Sequence, residues 1–297
     1  MKQIYQKLND MTEKMLLEEL KKIDEAKDFL KEIDFLKKKQ LLFFVWILYS
    51  YQKEHKEVKY LFKNSFVNLS LLYHLGLSSI NPALYKLSVD FIKADSISLI
   101  LDGNMSHFLK YCKDVWKITL QKIPMDEEDV ELLSFLEERY VVIPNDLKEQ
   151  IDFHDCLIIQ IKQKESILES QFEQDLKCIL KPDCFEDGLK IKCMCHGTCV
   201  WKENQDRLFH QGLLQKKELI GSCEDVLEYL LSHHVPRDMA LEITNFIRLG
   251  KQNKEKELWK QYKSIMDSYQ ISVKMISVFS KIKYLISRGT YLWEFFI

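Results

Sequence analysis

The chain has 297 residues, of which 46% are hydrophobic and 30% are charged, and its formal net charge is −2. This balance is typical of a globular protein with one large or two ordinary domains, and it excludes a disordered chain and a protein that attracts nucleic acid through its overall charge. Eight glycines are too few for a glycine-rich phosphate-binding loop, and with only five prolines they predict few tight turns and a mostly helical fold.

The predicted location follows from the apolar runs of the sequence. Residues 1–10 are polar and lack the apolar run of an export signal. The longest apolar run, Leu41–Tyr49, is shorter than the about 20 residues that a membrane-spanning helix needs, and it fits a buried helix or a buried strand. Eight cysteines in a chain without an export signal predict a reduced, cytoplasmic protein with no membrane partner.

The first predicted element is a helix over residues 12–38. Apolar residues recur there at helical spacing between lysines and glutamates, and Thr12 is a candidate for the N-terminal cap. The alternating charges indicate a solvated helix face, with a partner-binding coiled coil as the alternative.

Further elements follow along the chain. Residues 93–103 alternate between polar and apolar as a strand does, and residues 107–120 and 127–140 have helical spacing. A helix and a loop are predicted within 166–190, and residues 191–297 are predicted to be helical throughout.

Four short motifs then define a resemblance. They are His196-Gly197-Thr198 followed by Trp201, Ile220-Gly221 followed by Asp225 and Tyr229-Leu230, Arg248-x-Gly250-Lys251, and Lys281-Ile282-Lys283-Tyr284. In this order and spacing they resemble the fingers of the alpha subunit of the C-family bacterial replicative DNA polymerase III, PolC type. Each motif is weak, but their ordered set makes the resemblance fairly specific over residues 187–297.

The resemblance continues upstream into the family's palm. Phe44–Ser50 is similar to a palm helix, and Asn81-Pro82 to a later palm motif. Between them, Lys63 and Ser65 are what is retained of the family's glycine-rich loop, whose glycines are all replaced. Without glycine a backbone cannot easily approach a phosphate, so we expect phosphate binding by this loop to be lost.

The catalytic positions of the family carry different chemistry here. The resemblance predicts a strand at Tyr140–Pro144. It places the three metal-binding aspartates of the family at Ser96, Ser98 and either Ile161 or Lys162. Two Mg²⁺ ions in a polymerase need carboxylate ligands, so we expect no polymerisation and no cofactor. If the alignment is shifted, candidate carboxylates for Mg²⁺ are Asp95, Asp102, Asp152 and Asp155.

A nucleic-acid interface is implied by the same resemblance. Its expected contacts are Lys63, His196, Thr198, Asn204, Arg248, Lys251, Lys281, Lys283 and Arg288. Residues 248–297 carry ten Lys/Arg and four Asp/Glu, a local charge of +6. Such a segment predicts weak, sequence-independent binding of DNA, with a solvated lysine-rich helix as the alternative.

A zinc site is a weaker candidate. Cys193, Cys195, His196 and Cys199 bring thiols and an imidazole close together in sequence. Their spacing lacks the usual paired arrangement, and they occupy positions of the polymerase motif, so we predict no metal there. Trp201 and Tyr229 are predicted to be core aromatics rather than platforms for bases.

Together these observations predict an α+β, predominantly helical protein. Its domains would be a helical N-terminal segment (1–39), a degenerate palm with a small sheet and a shortened thumb (40–165), and an all-helical fingers-like domain (166–297). The expected protein is a truncated, catalytically degenerate relative of the polymerase that binds nucleic acid or a replication-type protein partner. The alternatives are a divergent active DNA-directed DNA polymerase or nucleotidyltransferase, and a helical interaction domain with an accidental resemblance.

Overall fold

The computed structural model describes residues 2–21, 29–92, 97–123, 138–145, 157–162 and 169–296. The fold is α+β and mostly helical, with one small mixed sheet of five strands. It divides into two compact units. The sheet unit comprises Met1–Tyr85, Ile92–Ser166 and Phe295–Ile297, and the helical unit comprises Lys86–Phe91 and Ile167–Glu294. Within the described ranges, no helix is long and apolar enough to cross a membrane.

The sheet unit combines helices with the five strands. Its helices are α1 (Lys2–Lys21), α2 (Leu30–Lys38), α3 (Leu42–Glu54), α4 (Ser70–His74) and α5 (Met105–Val115). Its strands are β1 (Lys59–Phe62), β2 (Ile97–Asp102), β3 (Ile118–Ile123), β4 (Glu138–Pro144) and β5 (Leu157–Lys162). The strand order is β1-β2-β5-β4-β3; β2 and β5 run parallel, and the other neighbours are antiparallel.

Helix α1 begins ten residues before the helix that the sequence predicted, so the assignment of Thr12 as a cap was wrong. Thr12 lies inside the helix, where its hydroxyl donates to the carbonyl oxygen of Leu8 at 2.8 Å. The buried stripe includes polar residues, which concealed its helical spacing. Its members are Tyr5, Asn9, Thr12, Leu16 and Leu20.

The apolar run at 41–49 forms helix α3, which settles the choice between a helix and a strand. Residues Leu41–Leu48 are all buried, so neighbours cover this helix on every side. The rings of Phe44 and Tyr51 lie 6.4 and 5.1 Å from the ring of Phe108 on α5. At the start of α3, the amide of Phe43 donates to Oδ1 of Asn9 at 3.0 Å.

The predicted strands at 93–103 and 140–144 are present as β2 and β4, whereas the predicted helix over 107–120 is too long. Helix α5 ends at Val115, and β3 begins at Ile118 after Lys117, whose φ of 54° breaks the helical path. Of the predicted helix at 127–140, residues 127–137 lie outside the described residues and residues 138–140 belong to β4.

The C-terminal part is mostly helical, as predicted, but the expectation of helix throughout 191–297 is wrong at residues 282–288, where β-bridge residues replace a helix. Its helices are α6 (Gln171–Leu180), α7 (Phe185–His196), α8 (Asp206–His210), α9 (Cys223–Ser232), α10 (Arg237–Arg248), α11 (Lys256–Ser268), α12 (Val273–Lys281) and α13 (Gly289–Leu292). They enclose an apolar core that includes Trp201, Leu230, Ile243 and Phe279. Two isolated β-bridges, Thr198–Tyr284 and Ser222–Ile286, join segments between these helices.

Candidate functional site

A row of four polar residues crosses the sheet at Ser98. The amide of Lys63 donates to the carbonyl oxygen of Ser98 at 2.8 Å, which extends the pairing of β1 with β2 by one residue. Ser98 pairs in register with Gln160 on β5, and Gln160 pairs with Arg139 on β4. Residues directly opposite one another lie on the same face of a sheet, about 5 Å apart. Ser98 and Lys63 are buried, with 2% and 7% of their surface exposed.

The register also decides which residue of β5 shares the face of Ser98. Ile161 pairs with Leu99, one residue along from Ser98, and therefore belongs to the opposite, apolar face. Position 162 pairs with Ile100 and has the parity of Ser98. Of the two candidates for the third catalytic position, 162 is therefore the one whose register position has the parity of Ser98.

The alternative carboxylates are not assembled beside Ser98 in the described structure. Asp102 has the same parity but lies exposed at the end of β2, where it pairs with Lys59. Ser96, Asp95, Asp152 and Asp155 lie outside the described residues. Within the part of the chain that the structure describes, no group of three or more His, Cys, Asp or Glu residues could hold a metal ion.

In the helical unit, the backbone brings all four sequence motifs together. Thr198 and Tyr284 form a bridge: the amide of Thr198 donates to the carbonyl of Tyr284, and the amide of Lys283 donates to the carbonyl of Thr198, both at 3.0 Å. The amide of Leu285 donates to the carbonyl of Arg248 at 3.1 Å. We call residues 282–288, which make these contacts, the strap.

The strap also binds the Ile220-Gly221 motif. The amide of Cys223 donates to the carbonyl of Ile286 at 3.0 Å. At two motif positions only glycine leaves room for the neighbouring backbone, on the strap in one case and on α7 in the other. A Cβ on Gly250 would overlap the carbonyl group of Lys283, and a Cβ on Gly221 would lie 2.6 Å from the carbonyl oxygen of Lys190. The motif glycines thus serve close packing of backbone segments.

Arg288, expected to contact nucleic acid, is bound to carboxylates of α9. Its Nη1 donates to Glu228 at 2.7 Å and its Nη2 donates to Asp225. Its backbone amide donates to Glu224 at 2.9 Å, and the hydroxyl of Ser287 donates to the same carboxylate. Burial by itself would raise the pKa of Asp225, but the charges of Arg288 and Lys190 outweigh burial and lower that pKa. Sequence reasoning missed these acids, although their spacing along one helix was visible.

Asn204 and Arg248, two further expected contacts, lie in the interior. Asn204 is 1% exposed, and its Nδ2 donates to the carbonyl oxygens of Cys199 and Val278 at 2.9 and 3.1 Å. Arg248 is 4% exposed; its Nη2 donates to the carbonyl of Phe91 at 3.2 Å, and its guanidinium lies 5.4 Å from the centre of the Phe91 ring. Their positions support roles in holding the fold together, not in contacting nucleic acid.

His196 is exposed at the end of α7, although one face of its ring is covered. Its ring stacks on Tyr291, with 4.1 Å between the ring centroids and an angle of 19° between the planes. Burial, and next the charge of Lys192, lower the pKa of His196. Thr198 contributes to the site through its backbone bridge to Tyr284.

Three expected contacts do share an accessible surface. Lys281 and Lys283 are exposed at the end of α12 and the start of the strap. Gly250 packs on the backbone of Lys283, which places the neighbouring Lys251 beside them. Lys251 is half exposed and pairs with Glu255 at 3.0 Å. We call Lys251, Lys281 and Lys283 the lysine surface.

The four candidate zinc ligands do not form a metal-binding group. Cys193 is fully buried inside α7, and burial raises the pKa of its thiol well above the ordinary value. Burial raises the pKa of the Cys195 thiol to about 12. Zinc binds the thiolate form of cysteine, so neither thiol is prepared as a ligand.

Comparison with known proteins finds similarity to polymerases. The chain is 28% identical over 217 residues to DNA polymerase III PolC-type of Oceanobacillus iheyensis, which covers 73% of this chain and 13% of the relative. It is 22% identical over 205 residues to that of Caldanaerobacter subterraneus subsp. tengcongensis, covering 69% and 13%. It is 29% identical over 109 residues to that of Bacillus subtilis, covering 37% and 7%. No family model matches the chain.

These similarities support a distant relationship to PolC-type DNA polymerase III, and they favour common ancestry over an accidental resemblance. The chain is a polymerase-related protein that spans 13% or less of the length of each of these relatives.

Proposed function

We propose that this chain is a catalytically degenerate relative of PolC-type DNA polymerase III, which binds DNA weakly and without sequence preference but does not extend a primer. In this proposal residues 1–39 are a helical N-terminal segment, residues 40–165 are a reduced palm with a shortened thumb, and residues 166–297 are a fingers-like domain. The observation that carries the proposal is the polar row Lys63, Ser98, Gln160 and Arg139. The resemblance adds Lys162 as the expected residue at the third catalytic position.

The chemistry of this row opposes metal catalysis. Polymerases bind two Mg²⁺ ions through carboxylates on one face of the palm sheet, and these ions activate the primer hydroxyl and neutralise the triphosphate. The row at Ser98 contains two neutral side chains between two cationic residues. Like charges repel, and magnesium needs charged oxygen ligands. The composition of this row therefore supports the proposed loss of nucleotidyl transfer.

The helical unit supports retention of binding. Its four motifs are still folded against one another through the strap, and they leave the lysine surface exposed. Clustered lysines attract phosphates and release counterions without reading the bases. We propose Lys251, Lys281 and Lys283 as the residues that contact DNA. Asn204, Arg248 and Arg288, which the resemblance also implied, are not part of this proposal.

Primer extension tests the loss of catalysis. A fluorescent primer–template should remain unextended when incubated with the protein, all four deoxynucleotides, and either Mg²⁺ or Mn²⁺. Template-dependent incorporation that disappears in Asp102→Ala would contradict the proposal and favour the divergent active polymerase.

Fluorescence anisotropy with the same DNA tests binding. The triple variant Lys251→Ala, Lys281→Ala, Lys283→Ala should lose at least about tenfold in affinity at low salt, because each lost phosphate contact removes counterion release. The matched control replaces three exposed lysines of the same basic segment, Lys254, Lys256 and Lys260, by alanine. Equal losses in both triple variants would show that general charge governs binding. No binding by the parent at low salt would favour a protein partner.

A further inference from the structure

Arg288 lies in an electrically balanced cluster rather than on a basic surface. Glu224, Asp225 and Glu228 all bind it from helix α9. Two further lysines complete the cluster: Lys190 lies 3.9 Å from Asp225, and Lys86 lies 3.1 Å from Glu228. Three carboxylates therefore face three cations. A phosphate approaching Arg288 would have to compete with carboxylates that already occupy both ends of its guanidinium fork.

The same contacts tie the strap to the helical unit. Arg288 is the last residue of the strap, and it is attached to α9 through both its side chain and its backbone amide. Upstream, the strap is held by backbone hydrogen bonds to Thr198, Arg248 and Cys223. Lys283 lies at the other end of this short, extended segment. Fixing both ends of the strap limits the conformations open to Lys283.

We propose that Arg288 is a positioning residue: it clamps the strap to the carboxylates of α9 and thereby holds Lys283 in place, and it does not itself bind phosphate. This role rests on the proposed binding of DNA by the lysine surface. A lysine that is already held in place loses less conformational freedom when DNA binds, so the clamp strengthens binding without touching the ligand.

Hydrogen exchange of the free protein tests the clamp without any DNA. In Arg288→Ala, the amides of Cys223, Lys283 and Leu285 should exchange at least about tenfold faster than in the parent, because release of the strap opens their hydrogen bonds. Lys86→Ala is the matched control. It removes a cation from the same Glu228, and Lys86 is largely exposed and outside the strap, so these amides should keep their parent rates. If these three amides exchange in Arg288→Ala at the rates of the parent, the proposed clamp is contradicted.

Arg288→Lys keeps the proposal testable if the alanine variant does not fold. Lysine retains the charge but loses the planar fork that reaches two carboxylates at once. We expect faster exchange at the same three amides than in the parent. Parent exchange rates in Arg288→Lys would show that a positive charge alone suffices, and would overturn a clamp built on the fork.

DNA binding by the same variants tests the consequence for Lys283. With the short primer–template probe at low salt, Arg288→Ala should bind roughly tenfold more weakly than the parent, and Lys86→Ala no more than about twofold more weakly. Equal losses of DNA affinity in Arg288→Ala and Lys86→Ala would contradict the positioning role and would indicate a general effect of charge. If the parent itself does not bind DNA, the proposed function fails, whereas the exchange rates still decide whether Arg288 clamps the strap.

Discussion

Gly250 and Lys283 are packed backbone against backbone, so that a side chain on Gly250 would overlap the carbonyl group of Lys283. Gly250 also has a φ of 62°, in the left-handed region that other residues adopt at a cost. This contact joins the Arg248-x-Gly250-Lys251 motif to the strap. The glycine of that motif is therefore explained by packing, with no need for a bound phosphate.

The first prediction is that Gly250→Ala is strongly destabilising. It combines left-handed strain with an overlap against backbone, and we expect a loss of about 3 kcal/mol or more in the free energy of unfolding. Gly212→Ala is the control, because Gly212 has a similar φ of 70° but nothing within 4 Å of the added carbon. It should cost about 1–2 kcal/mol. Urea unfolding measures both, and equal losses would contradict the packing role of Gly250.

The second prediction separates structure from binding at Asn204. Asn204→Ala removes two hydrogen bonds to buried carbonyls, which should cost about 1–3 kcal/mol of stability. The folded variant should bind DNA as the parent does, since Asn204 is buried away from the lysine surface. Thermal unfolding and anisotropy measured on the same sample provide the check. Parent stability combined with weaker DNA binding would restore Asn204 as a contact residue.

The third prediction concerns pH and Glu173. Burial by itself would raise the pKa of Glu173, but its hydrogen bonds to Lys192 and Lys177 outweigh burial and lower that pKa. Between the lowered folded pKa and the ordinary value of 4.5, the unfolded chain binds more protons than the folded one. The stability contributed by Glu173 is therefore complete above the ordinary pKa and is lost as the pH falls towards the folded value.

Glu173→Gln should remove this acid-sensitive part of the stability. Urea unfolding curves collected from neutral to acidic pH should show a shallower decline for the variant than for the parent. Glu257→Gln, at an exposed residue that pairs only with the exposed Lys260 among the described residues, is the control and should follow the parent. Parallel curves for Glu173→Gln and the parent would show that Glu173 does not couple protonation to folding.

The fourth prediction is that purified protein carries no stoichiometric zinc. Cys193 and Cys195 are held in the thiol form by burial, and the four candidate ligands are not grouped for a metal. Metal analysis after purification without chelators tests this directly. About one zinc per chain, lost in Cys195→Ser, would reverse the conclusion.

Much of the local structure could be predicted from the sequence, because it depends on local patterns. The alternation at 93–103 identified β2, and the resemblance of Tyr140–Pro144 to a strand of the polymerase family identified β4. Strand β3 was missed because helical spacing continues past Val115, and the left-handed turn at Lys117 gives no distinctive signal. The start of α1 was missed because Asn9 and Thr12, both polar, belong to its buried stripe.

The site was harder to predict because it depends on contacts across long separations. Arg288 is paired with Glu228 and Asp225, which lie 60 and 63 residues earlier. A local count of charges gave residues 248–297 a charge of +6 and could not include these acids. The buried contacts of Asn204 and Arg248 likewise include residues far away in sequence, Val278 and Phe91. The four motifs that carry the resemblance are nevertheless joined by backbone contacts in the structure.

The strap has a consequence for how the helical unit is made. Thr198, Cys223 and Arg248 form their backbone hydrogen bonds with residues that a ribosome adds much later. Until those residues leave the exit tunnel, the earlier motifs lack their hydrogen-bond partners. Closing the long loops between them costs conformational entropy before the new contacts compensate for it. The helices can form one by one during synthesis. Their final packing requires the strap. A nascent chain that ends before residue 282 would therefore contain Thr198, Cys223 and Arg248 without the strap residues that form backbone hydrogen bonds with them.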